Sequence, residues 1–282
     1  MRLSAVLLLV ALAVPAHAKE WGDVRTPVPG PARVLGGPAS GCLAGAERLP
    51  AEGAGFQAVR VSRNRHWGHP ATVAFVKDMG ARARQAGLGD LYIGDLAQPR
   101  GGPMASLHGS HQNGLDVDIW FNLDPKPRLA PSEREEIAIV KLTTQDEKRV
   151  DPALWRPEHA RVLRMAADDP RVDRILVHFA IKQHLCETAG GDRAWLRKVR
   201  PWRGHNEHFH VRLVCPAGSP DCVQQAAVPP GDGCDQTLAW WFLDAEERRR
   251  RDEEAARERP RVQTGPPRPK LPAQCASILR AP

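Results

Sequence analysis

The sequence predicts an α+β fold: a single domain with a central antiparallel sheet, flanked by helices and long loops and stapled by disulfides. Three observations carry that expectation. Segments of helical and strand period follow one another without a regular βαβ rhythm, and no internal repeat is visible. The 24 glycines and 26 prolines among 282 residues, with only 5% aromatics, interrupt the chain too often for a helical bundle or coiled coil. Six cysteines, an even number, all follow an export-type leader, so disulfides are the default.

The leader comes first. Arg2 precedes an apolar run over 3–14, then Pro15 and the small-residue pattern Ala16-His17-Ala18, which reads as a secretory signal cleaved after Ala18. The run is too short to span a bilayer, and no later segment is apolar enough to do so. Residues 19–58 are rich in Pro, Gly and Ala and lack an apolar period, so they read as an extended arm. Pro70 can open a helix whose apolar positions Val73, Val76, Met79 and Ala83 recur at helical spacing and which stops at Gly87 and Gly89. Strands are predicted over 91–95 and 115–121, separated by a Gly/Pro-rich loop over 98–113.

A second helix is predicted over 157–168, ended by Pro170; then come a buried strand over 175–179, a helix over 180–186 and a strand over 208–214. From Asp244 to Arg259 the Glu/Arg-rich sequence reads as a solvated helix. A Pro-rich strap follows, which Cys275 can pin back. The domain is thus placed at 19–243, between the signal peptide at 1–18 and a charged helix and strap at 244–282.

Loss of Arg2 with the leader lowers the formal net charge of +7 to +6, which suits a polyanionic neighbourhood. No Lys/Arg stripe interleaves with aromatics, so nucleic acid is a poor partner. No Cys-x-x-Cys pair is present, so the cysteines do not read as a metal site.

Chemistry concentrates in two short stretches. The first is His108-Gly-Ser-His111-Gln-Asn-Gly114-Leu-Asp116-Val-Asp118; the second is His205-Asn-Glu207-His208-Phe-His210. Strand alternation puts Asp116 and Asp118 on one face, and His208 and His210 on one face. Gly114 allows the turn that brings His111 back towards Asp118. Two imidazoles and a carboxylate with a vacant position form a catalytic metal arrangement, and nitrogen and oxygen ligands of this type suit zinc. Asp116 can accept a hydrogen bond from a ligand histidine. Glu207, alternating with His208, is expected to face away. Arg63, Arg65, Arg100 and Arg203 can hold a substrate carboxylate, although an arginine is more often a surface ion pair. Trp67, Trp120, Trp240 and Trp241 can line a groove or pack in the core.

His111-x6-Asp118 and His208-x-His210 resemble the spacings of zinc peptidases that include lysostaphin-type enzymes, D-Ala-D-Ala carboxypeptidases and the hedgehog fold. Closer still, the runs 62–70 (SRNRHWGHP), 106–120, 203–210 (RGHNEHFH) and 238–242 (LAWWF) together resemble the penicillin-insensitive murein endopeptidases. The resemblance implies that His111, Asp118 and His210 bind a catalytic zinc. It implies His208 as general base or water-steering group, and His205 as an oxyanion-stabilising or substrate-positioning group. His108 would lie behind the ligands or serve a second metal. The resemblance also implies the pairs Cys42–Cys275, Cys186–Cys234 and Cys215–Cys222. It leaves the stretch 145–151 without a full match to the family's peripheral metal residues.

The implied activity is hydrolysis of peptidoglycan peptide cross-links, D-Ala to diaminopimelate, in the periplasm. The alternatives are a D-Ala-D-Ala carboxypeptidase or dipeptidase, and a metal-stabilised wall-binding protein without catalysis.

Overall fold

The computed structural model describes residues 16–105, 108–123, 127–258 and 270–282. Most of the expected signal segment and part of the Pro-rich strap therefore lie outside the described residues. Chain order is α1 (Ala16–Asp23), β1 (Arg33–Gly37), β2 (Ser40–Ala44), β3 (Glu47–Arg48), β4 (Glu52–Gly53), β5 (Phe56–Ala58), β6 (Trp67–Gly68), α2 (Pro70–Gln85), β7 (Leu91–Ile93) and β8 (Asp116–Trp120). There follow α3 (Pro131–Glu135), α4 (Pro157–Ala167), β9 (Val172–Val177), α5 (Phe179–Thr188), β10 (Val199–Pro201), β11 (His208–Leu213), α6 (Gln236–Ala239), α7 (Ala245–Glu258) and α8 (Gln274–Arg280).

A seven-stranded sheet in the order β10-β9-β11-β8-β7-β5-β4 organises the α+β domain. Its centre, β9-β11-β8-β7, is antiparallel as expected. The β10/β9 and β5/β7 pairs are parallel, because helix-bearing crossovers return the chain to the same end of the sheet. One face is apolar. Val117, Ile119, Ile175, Val177, Phe209 and Val211 share a buried cluster with Val73, Val76 and Met79 of α2 and Val162, Leu163 and Ala166 of α4. Burying a side chain of this size contributes about 1.5–3 kcal/mol, so this face anchors the strands whose other face carries the chemistry.

The predicted helices form for the reasons their sequences suggest. Pro70 opens α2, and His69 caps it by accepting the Ala71 N–H at its Nδ1 (3.1 Å). In α4, His159 Nδ1 accepts the Arg156 N–H and its Nε2 donates to the Phe121 carbonyl, so this buried histidine is structural. The solvated helix also forms: α7 is laced by i,i+4 pairs such as Arg251 with Glu247.

The expected extended arm is the main correction. Residues 33–58 form five strands, with Val34, Leu35, Cys42, Leu43, Leu49 and Phe56 buried. Their apolar period is invisible because β1 and β2 are short, glycine-bearing and buried on both faces. A Cβ on Gly41 would lie 2.5 Å from the carbonyl oxygens of Gly37 and Leu35, so only glycine lets the hairpin close.

Three disulfides are present, Cys42–Cys275, Cys186–Cys234 and Cys215–Cys222, with no free cysteine. The first pins α8 onto β2, where Trp21, Leu35, Leu271, Ile278 and Leu279 make a satellite cluster. Arg100 completes that strap. Its buried guanidinium donates to the carbonyls of Thr26, Ile278, Leu279, Ala281 and Pro282, satisfying the open end of α8. Cys42 and Cys275 are 233 residues apart, so replacing both by serine is expected to remove about 4 kcal/mol. Denaturant unfolding checks this, as a lower midpoint with a full native baseline.

Candidate metal centre

The site is laid down by register. Across β8 and β11, His208 faces Trp120, His210 faces Asp118 and Arg212 faces Asp116. On β9, Leu176 faces His210 and Arg174 faces Arg212; on β10, Arg200 faces Leu176. In-register neighbours project to the same side of a sheet, so these residues floor one cleft while their apolar alternates pack on α2 and α4. The cleft has a volume of about 1120 Å³.

His111 enters from the loop before β8 in the left-handed region, φ 66°, close to Gly114 at φ 76°. Two bonds hold it there. Its backbone N–H donates to Asp116 Oδ2 (2.8 Å), and its Nδ1 donates to the Leu96 carbonyl (2.5 Å). With that proton on Nδ1, Nε2 presents a lone pair to Asp118 Oδ1 at 3.3 Å. His210 Nδ1 lies 3.1 Å from the same oxygen, while its Nε2 faces Asp116 Oδ1 at 3.3 Å. His111 Nε2 and Asp118 Oδ1 are buried without any hydrogen-bond partner.

Acceptors gathered around one buried oxygen repel each other unless a cation lies among them. Ligand bonds of 2.0–2.1 Å place donor atoms about 3.3 Å apart, close to the 3.3 and 3.1 Å that separate Asp118 Oδ1 from His111 Nε2 and His210 Nδ1. The residues therefore fit a divalent metal. The ligating atoms of His108, His111 and Asp118 lie within 4.8 Å of one another, as do those of His111, Asp116 and His210. Both groupings share His111.

Electrostatics agree with that use. Burial would raise the Asp118 carboxyl, but the surrounding His111, His208 and His210 rings hold it well below the usual carboxylate range. Asp116, fully buried, is likewise opposed by burial and held down by Arg212 and His210. It accepts from Arg212 through Nε (2.8 Å) and Nη2 (3.1 Å). Asp116 therefore orients His210, fixes the backbone of His111 and is itself clamped.

The expected residues separate clearly. His205, His208, His210, His111, Asp118 and His108 come together, with His208 Nε2 3.7 Å from Asp118 Oδ1. His108 Nε2 bonds Asp95 (3.0 Å), and its Nδ1 turns towards Asp118 at 3.9 Å. Glu207, expected to face away, lines the cleft with its Oε1 3.9 Å from His208 Nδ1, because it lies just before the regular alternation of β11 begins. Arg63, Arg65 and Arg203 line the cleft, the first two paired with Asp95 at 3.6 and 3.2 Å. Arg100 does not, being engaged with the C-terminal carbonyls. Trp120 and Trp241 line the cleft; Trp67 instead donates to Asn64.

Sequence reasoning missed Arg212, Asp95 and the Leu96 carbonyl. Arg212 had a signal, since it lies two residues past His210 on the same face. Asp95 and Leu96 had none.

The profile of the penicillin-insensitive murein endopeptidases matches residues 34–280. This chain belongs to that family. Among relatives called penicillin-insensitive murein endopeptidase, that of Haemophilus influenzae is 41% identical over 97% of this chain and 93% of its own length. That of Yersinia enterocolitica is 45% identical over 85% of this chain and 87% of its own. The Klebsiella pneumoniae relative is 41% identical over 98% and 96%.

Proposed function

We propose that this murein endopeptidase family member is an exported zinc peptidase that hydrolyses peptide cross-links of peptidoglycan. The bond is the DD linkage of D-Ala to diaminopimelate; the LD linkage, between two diaminopimelates, is a further candidate. The observation that carries the reading is the approach of His111 Nε2 and His210 Nδ1 to the one orphaned oxygen of Asp118. Removal of residues 1–18 would deliver the chain to the periplasm, with 19–243 as the catalytic unit and 244–282 as its helix and strap. No helix among the described residues is long and apolar enough to cross a membrane.

In this reading His111, Asp118 and His210 hold the zinc, which supplies Lewis acidity and a nucleophile competent near neutral pH. His208 is the proton carrier. Its Nε2 borders the centre, taking a proton from the attacking water and returning it to the leaving amine. Glu207 near Nδ1 favours the protonated ring in between. His205 donates from Nδ1 to the Arg203 carbonyl (2.7 Å), which leaves Nε2 an acceptor, and burial holds the ring neutral, its pKa lowered to about 3. That tautomer favours positioning of a substrate N–H over stabilising an oxyanion.

Purified protein incubated with cross-linked muropeptide dimers is expected to release monomers. The release should stop with a zinc chelator, return on adding zinc and continue in the presence of β-lactams, because no serine is acylated in this route. Release of free alanine instead would indicate a carboxypeptidase, and intact dimers a wall-binding protein.

A further inference from the structure

Seven arginines but only three acids line the cleft, and most of these arginines are already engaged. Arg63 and Arg65 pair with Asp95, Arg174 with Asp173, and Arg212 with Asp116; Arg203 donates to the Trp241 carbonyl. Arg60 and Arg200 differ. Among the described residues neither guanidinium has a hydrogen-bonded or ion-paired acceptor.

Their placement is specific. Arg60 sits in the left-handed region, φ 55° and ψ 41°, held by its N–H to the Arg134 carbonyl. Such strain in a non-glycine residue persists only where the surroundings impose it. Its guanidinium lies over the Trp120 ring, 4.6 Å from the centroid, and that ring is 5.6 Å from His208. This cation–π contact holds the guanidinium beside the cleft that Arg60 lines, with its N–H groups left to other acceptors.

Arg200 lies at the other end of the floor. The register row runs Arg200, Leu176, His210, Asp118 across β10, β9, β11 and β8. Two strand spacings put its Cα about 10 Å from that of His210, roughly three residues of extended peptide. Asp235, the acid whose charge acts on Arg200, is occupied in capping α6 through Thr237. Burial lowers both guanidiniums from their ordinary value, the mark of a charge that its surroundings do not compensate.

We propose that Arg60 and Arg200 are carboxylate anchors on opposite sides of the metal centre, selecting peptides with an acidic group on each side of the scissile bond. This deepens the murein reading and rests on it. Each anchor offers a charge-assisted, bidentate fork, for which removal weakens binding about tenfold to a hundredfold.

The test uses a muropeptide dimer whose scissile amide is replaced by an uncleavable hydroxyethylene link, so that a stem lies on each side of the centre, with its carboxylates either free or amidated. By calorimetry the metal-loaded wild type is expected to bind the free acid at least about tenfold more tightly than the amide. Arg60→Gln and Arg200→Gln should each weaken free-acid binding by about tenfold and leave amide binding unchanged, with unaltered metal content. Equal binding of both forms by the wild type, or equal losses for both forms in the variants, overturns the proposal. Failure of the murein reading looks different: dimers stay uncut while discrimination between free acid and amide persists.

Discussion

His111→Ala is expected to empty the metal centre and lower kcat/KM on muropeptide dimers by about three orders of magnitude or more. A catalytic divalent metal supplies several kcal/mol of transition-state stabilisation, and each 1.36 kcal/mol is a factor of ten. His111 contributes a buried ring whose only free nitrogen faces Asp118. Alanine at φ 66° keeps the left-handed backbone but loses the ring's bond to the Leu96 carbonyl, so the companion variant is Asp118→Asn, which keeps shape and backbone. Elemental analysis should find metal in wild type and in neither variant. A variant that kept both metal and activity would falsify the ligand assignment. Adding metal to chelated wild type should raise its thermal midpoint, since binding to the native state alone stabilises it, and should leave both variants unmoved.

Asp116→Ala is expected to have the largest effect on stability, a loss of about 3–5 kcal/mol. The substitution strands the Arg212 guanidinium, which is 7% exposed, and removes the acceptor for the His111 N–H. Metal affinity should fall with it by about 10–100-fold, because His210 and His111 lose the group that orients them. The double variant Asp116→Ala/Arg212→Met separates the two effects. Without a stranded charge it should regain most of the unfolding free energy, yet its metal affinity should stay low. Recovery of both together would mean that Asp116 acts only by stabilising the fold.

The two elements that carry Asp118 and His210 were the easiest to read. In 115–121 and 208–214, apolar residues alternate with Asp and His, and a two-residue period admits only one sorting of those side chains between faces. The helices at 70 and 157 announced themselves through proline at the first position and apolar spacing. The arm at 19–58 was misread because its short strands are buried on both sides, where no alternation survives. Glu207 was misread for a related reason: alternation does not extend beyond the last ladder pair.

Local chemistry written along the chain thus determined the helices, the central strands, the two histidine clusters and the matching faces of Asp118 and His210. Tertiary structure alone decided that Asp116 is clamped by Arg212, that Arg100 serves the C-terminus and not the cleft, and that Arg60 and Arg200 line the cleft. These depend on register between strands far apart in sequence and on which acid lies nearest each arginine. An arginine reaches in many directions, and only the folded surroundings choose its partner.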